Sequence, residues 1–132
     1  MRITADTNLL VRMTMDDDPI QAAEAHTVLA EAELVALPVA ALCEYVWVLR
    51  SGYRLPTPEI ARDLRAVLAP SNTRYDVASV RFGLAVLDAG GDFADGVIAY
   101  SGLLSGAEEF VTFDRKAARL VASAGLKARC LG

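Results

Sequence analysis

Five acidic residues stand where their chemistry has to be asked about before their solubility. Asp6 closes a short opening run, Ile3-Thr4-Ala5, and is followed by Thr7 and Asn8. Asp114 closes another run, Phe110 to Phe113, which includes Thr112. Asp92 and Asp95 come directly after the break Gly90-Gly91. Glu44 is the only charged residue between Leu34 and Leu49. Each of the first four has a plain reading. Asp114 and Asp92 suit helix N-caps, and Asp95 suits the third helical position of a capping box begun by Asp92. Glu44 resists such a reading, because an ionised carboxylate in an apolar interior costs several kcal/mol unless it is partnered. Its alternatives are a narrow polar edge turned to solvent, or an ion pair with Arg12 or Arg50.

Taken together, the acids say more. If Asp6, Glu44, Asp95 and Asp114 met at one sheet edge, carboxylates ~4 Å apart would repel by roughly 4 kcal/mol per pair at an effective dielectric near 20. Such a group needs a cation. Hard oxygen ligands with no His or Cys beside them select Mg²⁺, or Mn²⁺, over zinc. The single histidine, His26, falls in a charged helical stretch and reads as solvated. The chemistry to expect of Mg²⁺ held by carboxylates is phosphoester cleavage, with an activated water in line and a neutralised leaving oxygen.

The elements that would position these acids can be read from periodicity and punctuation. Residues 2–5 suit a strand. Asp18-Pro19 opens a helix with Ala22, Ala25, Val28, Leu29 and Ala32 on one side. Leu34 to Leu37 suits a second strand, stopped by Pro38, and an apolar helix follows to about Leu49, closed by Ser51-Gly52. Thr57-Pro58-Glu59 opens a helix to about Ala69, and residues 72–75 suit a short strand. Asp76 caps a helix to Asp88, and the next helix starts at Asp92 or a neighbour and ends near Gly106. A strand at 110–113, a helix at 115–124 stopped by Gly125 and a strand at 127–131 complete the chain. Alternating strands and helices imply right-handed crossovers. The expected fold is a three-layer α/β/α sandwich around a mainly parallel central sheet. In such sheets ligands bind beyond the carboxyl ends of the strands, where Asp6 and Asp114 fall.

Composition sets the outer limits. The chain has 132 residues, 54% of them hydrophobic, enough for one domain over residues 1–132. Only Asp16-Asp17-Asp18 and the extreme C-terminus suggest disorder. No apolar run reaches the ~18 residues of a membrane span. With no secretory signal in view, the expectation is a cytoplasmic protein whose Cys43 and Cys130 stay reduced. Net charge is −4, and mean hydropathy is +0.32. Nucleic acid would therefore be held by local features, metal and a few arginines, rather than by bulk charge. Arg12, Arg50, Arg54, Arg115 and Arg119 are the candidates for phosphate contacts.

Ala5-Asp6-Thr7-Asn8, Glu44 in its apolar helix, Asp92-Phe93-Ala94-Asp95 and Thr112-Phe113-Asp114 together resemble the PIN-domain ribonucleases, and in particular the VapC-like toxins of bacterial toxin–antitoxin pairs. The resemblance extends over essentially the whole chain. It implies that Asp6, Glu44, Asp95 and Asp114 hold Mg²⁺ or Mn²⁺ and that Asn8 and Thr112 orient those acids. Asp92, acidic in many of the toxins, takes a supporting role or only caps its helix. It further implies an endoribonuclease acting on tRNA, rRNA or mRNA, a homodimer, and a cognate antitoxin that lays a chain segment across the acidic groove. Val46 to Leu49 and the helix from Thr57 offer apolar surface for such a dimer, unless all of it is core. Two other readings fit less well. A haloacid-dehalogenase-like phosphatase would carry Asp where this chain has Asn8, and a non-catalytic binding module would have no use for four acids.

Overall fold

In the computed structural model, which describes residues 1–132, the chain alternates short strands with helices and divides into two compact units, Met1–Tyr75 and Asp76–Gly132. The first unit runs β1 (Arg2–Thr4), α1 (Thr7–Thr14), α2 (Pro19–Glu31), β2 (Leu34–Ala36), α3 (Val39–Ser51), α4 (Thr57–Leu68) and β3 (Thr73–Arg74). The second runs α5 (Val77–Asp88), α6 (Phe93–Leu104), β4 (Phe110–Thr112), α7 (Arg115–Ser123) and β5 (Ala128–Cys130). Every strand pairing is parallel, as the α/β reading requires. The hydrogen-bonded ladders are β1-β2-β3, with Ile3 opposite Val35 and Val35 opposite Thr73, and β4-β5, with Val111 opposite Arg129. The expected strands are each trimmed by a residue or two, and the expected helices stand.

The first unit also holds a helix that the pattern reading left unassigned. In α1, Leu10 and Val11 turn inward while Asp6 caps the start, its Oδ1 accepting from the Leu9 amide at 2.9 Å. At the far end, Thr14 Oγ1 donates to the Leu10 carbonyl at 3.0 Å and lies 2.7 Å from the Tyr45 hydroxyl of α3. Tyr45 is fully buried, and that burial pushes its hydroxyl up to about 12; the Thr14 bond opposes the shift and the charge of Asp63 adds to it. A buried hydroxyl needs a partner, and Thr14 supplies it.

The aspartate run before α2 is anchored rather than loose. Asp17 accepts from the Tyr53 hydroxyl at 2.6 Å and from Arg12 at 3.3 Å, and Asp18 caps α2 through the Gln21 amide at 3.1 Å. The Tyr53 bond holds the Asp17 carboxyl below its usual range, against the opposing effect of desolvation and with further help from the Arg12 charge. The inward face of α2 is Ala22 and Ala25, small enough to lie close against α1. At the end of α2, Asn72 Nδ2 donates to the Leu29 and Ala32 carbonyls at 2.9 and 3.0 Å, satisfying acceptors that the helix itself leaves open.

The core of the second unit gathers Val86, Ala99, Leu120 and Val121, with Phe82, Phe110 and Leu126 packed around them. Two glycines let α5 and α6 approach: a Cβ on Gly96 would come within 2.8 Å of the Gly83 Cα and 3.0 Å of the Phe82 carbonyl. After α7 the chain turns at Gly125, whose φ of 115° lies in the region glycine favours, as a helix stop requires. Cys43 and Cys130 form no disulfide, and each is half-buried rather than deep in the core. No helix is long and apolar enough to cross a membrane.

Candidate active site

Each acid at the end of a strand caps the helix that follows. In the first unit Asp6 does this for α1, leaving its second oxygen without a bond inside the protein. Asn8 sits exposed in the first turn of the same helix. Beside them a groove of ≈ 510 Å³ runs between α1 and α2, with Asp6, Asn8 and Arg12 on one wall and Gln21 and Glu24 on the other. Another hollow of the same volume in this unit is lined by Leu10, Met13, Leu29, Val35, Val67 and neighbours, with no acid among them, and offers nothing to a cation.

Glu44 departs from expectation. It is exposed on α3, whose inward face is Leu42, Tyr45, Val46 and Leu49. The cost of burying a charge therefore does not apply to it, and Arg12, bound to Asp17, is not its partner. Of the two structural alternatives, the polar edge facing solvent is the one realised. Val46 and Leu49 are core, as is the apolar face of α4 (Ile60, Ala61, Leu64, Val67 and Leu68), so the apolar surface expected there for a dimer reduces to Trp47, which is 64% exposed.

In the second unit the charges of two acids act on a third. Asp92 caps α6, its Oδ1 accepting from the Ala94 amide at 3.1 Å. Asp114 caps α7 through the Ala117 amide at 3.0 Å, and its own amide donates to Thr112 Oγ1 at 3.0 Å, which fixes the turn from β4 into α7. Asp95, in the first turn of α6, is half-buried and makes no return bond to Asp92, so the capping box is not closed. Burial first, then the charges of Asp92 and Asp114, push its carboxyl above the usual aspartate range. This occurs although a helix N-terminus favours an anion. Desolvation and like-charge crowding thus outweigh the helix field at this carboxylate.

Nowhere in the chain do three or more Asp, Glu, His or Cys side chains stand close enough together to form a ready metal cage. The donor chemistry nevertheless suits a hard divalent cation. The acids of the second unit offer only carboxylate oxygens, and their mutual repulsion around Asp95 is the kind that bound Mg²⁺ or Mn²⁺ removes. What the sequence reading missed is α1 with the groove beside it. Gln21 and Glu24, one helical turn apart, would have signalled a polar edge bordering Ala22 and Ala25.

A search of curated proteins finds no match. The PIN domain family matches residues 3–122, a span that takes in both units and all of Asp6, Glu44, Asp92, Asp95 and Asp114. PIN domains are in general metal-dependent nucleases that use Mg²⁺ or Mn²⁺. With nine-tenths of its length covered, the chain belongs to the PIN domain family.

Proposed function

We propose that this PIN domain is a Mg²⁺- or Mn²⁺-dependent endoribonuclease and the toxin of a toxin–antitoxin pair, with both units acting as one nuclease domain. Asp6, Glu44, Asp95 and Asp114 are its metal-binding acids, and Asn8, Thr112 and Asp92 support them. The observation that carries the reading is Asp95: a half-buried carboxylate without a hydrogen-bond partner, crowded by two further acids. A capping aspartate gains bonds that favour its charge, whereas a carboxylate raised by burial beside further acids is a candidate for a functional site. The toxin assignment rests on the four motifs and their order along the chain.

When bound, the divalent cation supplies positive charge against the scissile phosphate and lowers the pKa of the attacking water. The chain's own part is to present ionised oxygens and hold them still. Asp6 and Asp114 are fixed by their cap bonds at 2.9 and 3.0 Å, each leaving one oxygen for the site. Thr112 fixes the backbone of Asp114. In the reaction, water adds to phosphorus, one P–O bond to ribose breaks, and the leaving oxygen takes up a proton.

The substrate class proposed is tRNA, rRNA or mRNA. A cognate antitoxin would cover the acids, and the protein would act in the cytoplasm as a homodimer. Ile98, Leu103, Leu104 and Val111, all substantially exposed on the second unit, are a better apolar surface for that dimer than α3 and α4. The test is to incubate the protein and its Asp95→Asn variant with total bacterial RNA in Mg²⁺, Mn²⁺ or chelator and to map new ends by sequencing. Discrete metal-dependent cuts that vanish in the variant support the reading, and identical patterns from both proteins refute the site.

A further inference from the structure

The groove between α1 and α2 begins at a proposed metal-binding acid, yet its lining is not that of a phosphate site. Asp6 and Glu24 make it acidic, and the guanidinium of Arg12, its one cation, is already bonded to Asp17 at 3.3 Å. Phosphate is poorly served there. Asn8, Gln21 and Glu24, in contrast, present two carboxamides and a carboxylate with no side-chain partner inside the protein. Between them, Leu9, Ala25 and Val28 give apolar walls. A cleft of ≈ 510 Å³ with apolar walls and a few convergent polar groups is a place for a small planar ligand rather than a charged backbone.

Resting on the nuclease reading above, we infer that this groove is a base-reading subsite that takes an unpaired guanine of the RNA strand next to the cut, with Glu24 as the discriminating residue. Single-stranded RNA is read by splaying out a base and bonding its Watson–Crick and Hoogsteen edges. Guanine alone among the four bases offers two adjacent N–H donors, N1–H and N2–H, on its Watson–Crick edge, and a carboxylate accepts both at once. Adenine and cytosine place an acceptor beside a single amino group, and uracil flanks its one N–H with two carbonyls. The carboxamides of Asn8 and Gln21, one on each wall, can each donate an N–H to one of the guanine acceptors O6 and N7. Gln21 and Glu24 stand one turn apart on α2, so their side chains share the face toward α1. No aromatic side chain lines the groove. Discrimination there rests on hydrogen bonds rather than stacking, which is what makes it base-specific and not merely base-tolerant.

The experiment titrates isotope-labelled protein, in chelator so that no cleavage intervenes, with short uridine oligoribonucleotides carrying a central guanosine, adenosine, cytidine or uridine. The expected result is movement of the Asn8 and Gln21 side-chain amide signals with the guanosine oligomer and about tenfold tighter binding of it than of the others. Glu24→Gln, an exposed isosteric change, should abolish that preference while leaving the weaker binding of the other oligomers in place. Equal binding of all four oligomers, unmoved amide signals, or an unchanged preference in Glu24→Gln each overturns the subsite. Cleavage mapping separates the two proposals. Selective guanosine binding by a protein that cuts no RNA would refute the nuclease reading and keep the subsite. Metal-dependent cutting with no guanosine beside the cut would refute the subsite alone.

Discussion

The two units of the chain carry their proposed metal-binding acids in opposite conditions. In the first, Asp6 is satisfied by a cap bond and Glu44 is exposed to water. In the second, Asp95 is half-buried, has no hydrogen bond and is pushed toward its neutral form by burial, Asp92 and Asp114. Asp6 and Glu44 keep contact with water, whereas the charge of Asp95 is disfavoured by burial and by its neighbours, which a bound cation would relieve. The difference locates the electrostatic strain of the metal-free protein in the second unit and makes the two sets of acids separable by mutation.

Asp95→Asn and Asp6→Asn should have the largest effects. Both should lower the rate of RNA cleavage by at least about a hundredfold, as loss of a metal ligand exceeds the effect of losing the groups behind it. Their effects on metal-free stability should differ. Asp95→Asn removes a charge that burial and two neighbouring acids disfavour, and should raise the melting temperature. Asp6→Asn keeps a capping side chain and should leave stability unchanged. Cleavage rates and thermal melts in chelator check both halves, and equal melting behaviour of the two variants would remove the distinction.

Gly96→Ala should cost about 2 kcal/mol, because its Cβ would meet the Gly83 backbone at 2.8 Å and α6 would have to shift. The shift would move Asp95 as well, so cleavage should fall along with denaturant stability. In the first unit Tyr45→Phe should cost about 1 kcal/mol, since Thr14 loses a partner but keeps its bond to the Leu10 carbonyl. That change should leave the behaviour of Asp95 untouched, and a denaturant titration beside a pH titration tests it.

The smallest effect is that of pH. Because the folded-state pKa of Asp95 lies above its unfolded value, the folded protein binds more protons between the two. The contribution of this group is therefore fully favourable below the unfolded value and is lost as pH rises through the folded one. Metal affinity should run the other way. It should weaken as pH falls through the raised value, at a higher pH than an ordinary aspartate would require, as calorimetric titration with Mn²⁺ would show.

Most of this was visible in the residues. Asp18-Pro19, Asp76, Asp92 and Asp114 each mark a helix start, and the side chains take the cap bonds that their type predicts. The exposure of Glu44 was one of two structural alternatives and not the evident one, because a run of apolar letters hides its facing. Ala40, Glu44, Trp47 and Ser51, spaced at four and three residues, form the exposed stripe of α3, a period available in the sequence. The helix α1 escaped because Leu9-Leu10-Val11 is too short an apolar run to distinguish helix from strand by itself. Asp6 read as a ligand also drew attention away from Asp6 as a cap. At Asp95 the neighbouring charge of Asp92 was legible three residues away, but its burial and the approach of Asp114, nineteen residues later in the chain, were not.

The central claim is that Asp95 is the strained carboxylate of a cation site, and its own titration tests that most directly. The side-chain carbonyl signal of Asp95 should be followed against pH by NMR in the metal-free protein, in Asp114→Asn and with Mg²⁺ present. The expected midpoint lies above the ordinary aspartate range, drops in Asp114→Asn and drops further with Mg²⁺. An ordinary midpoint, indifferent to both, would contradict the claim.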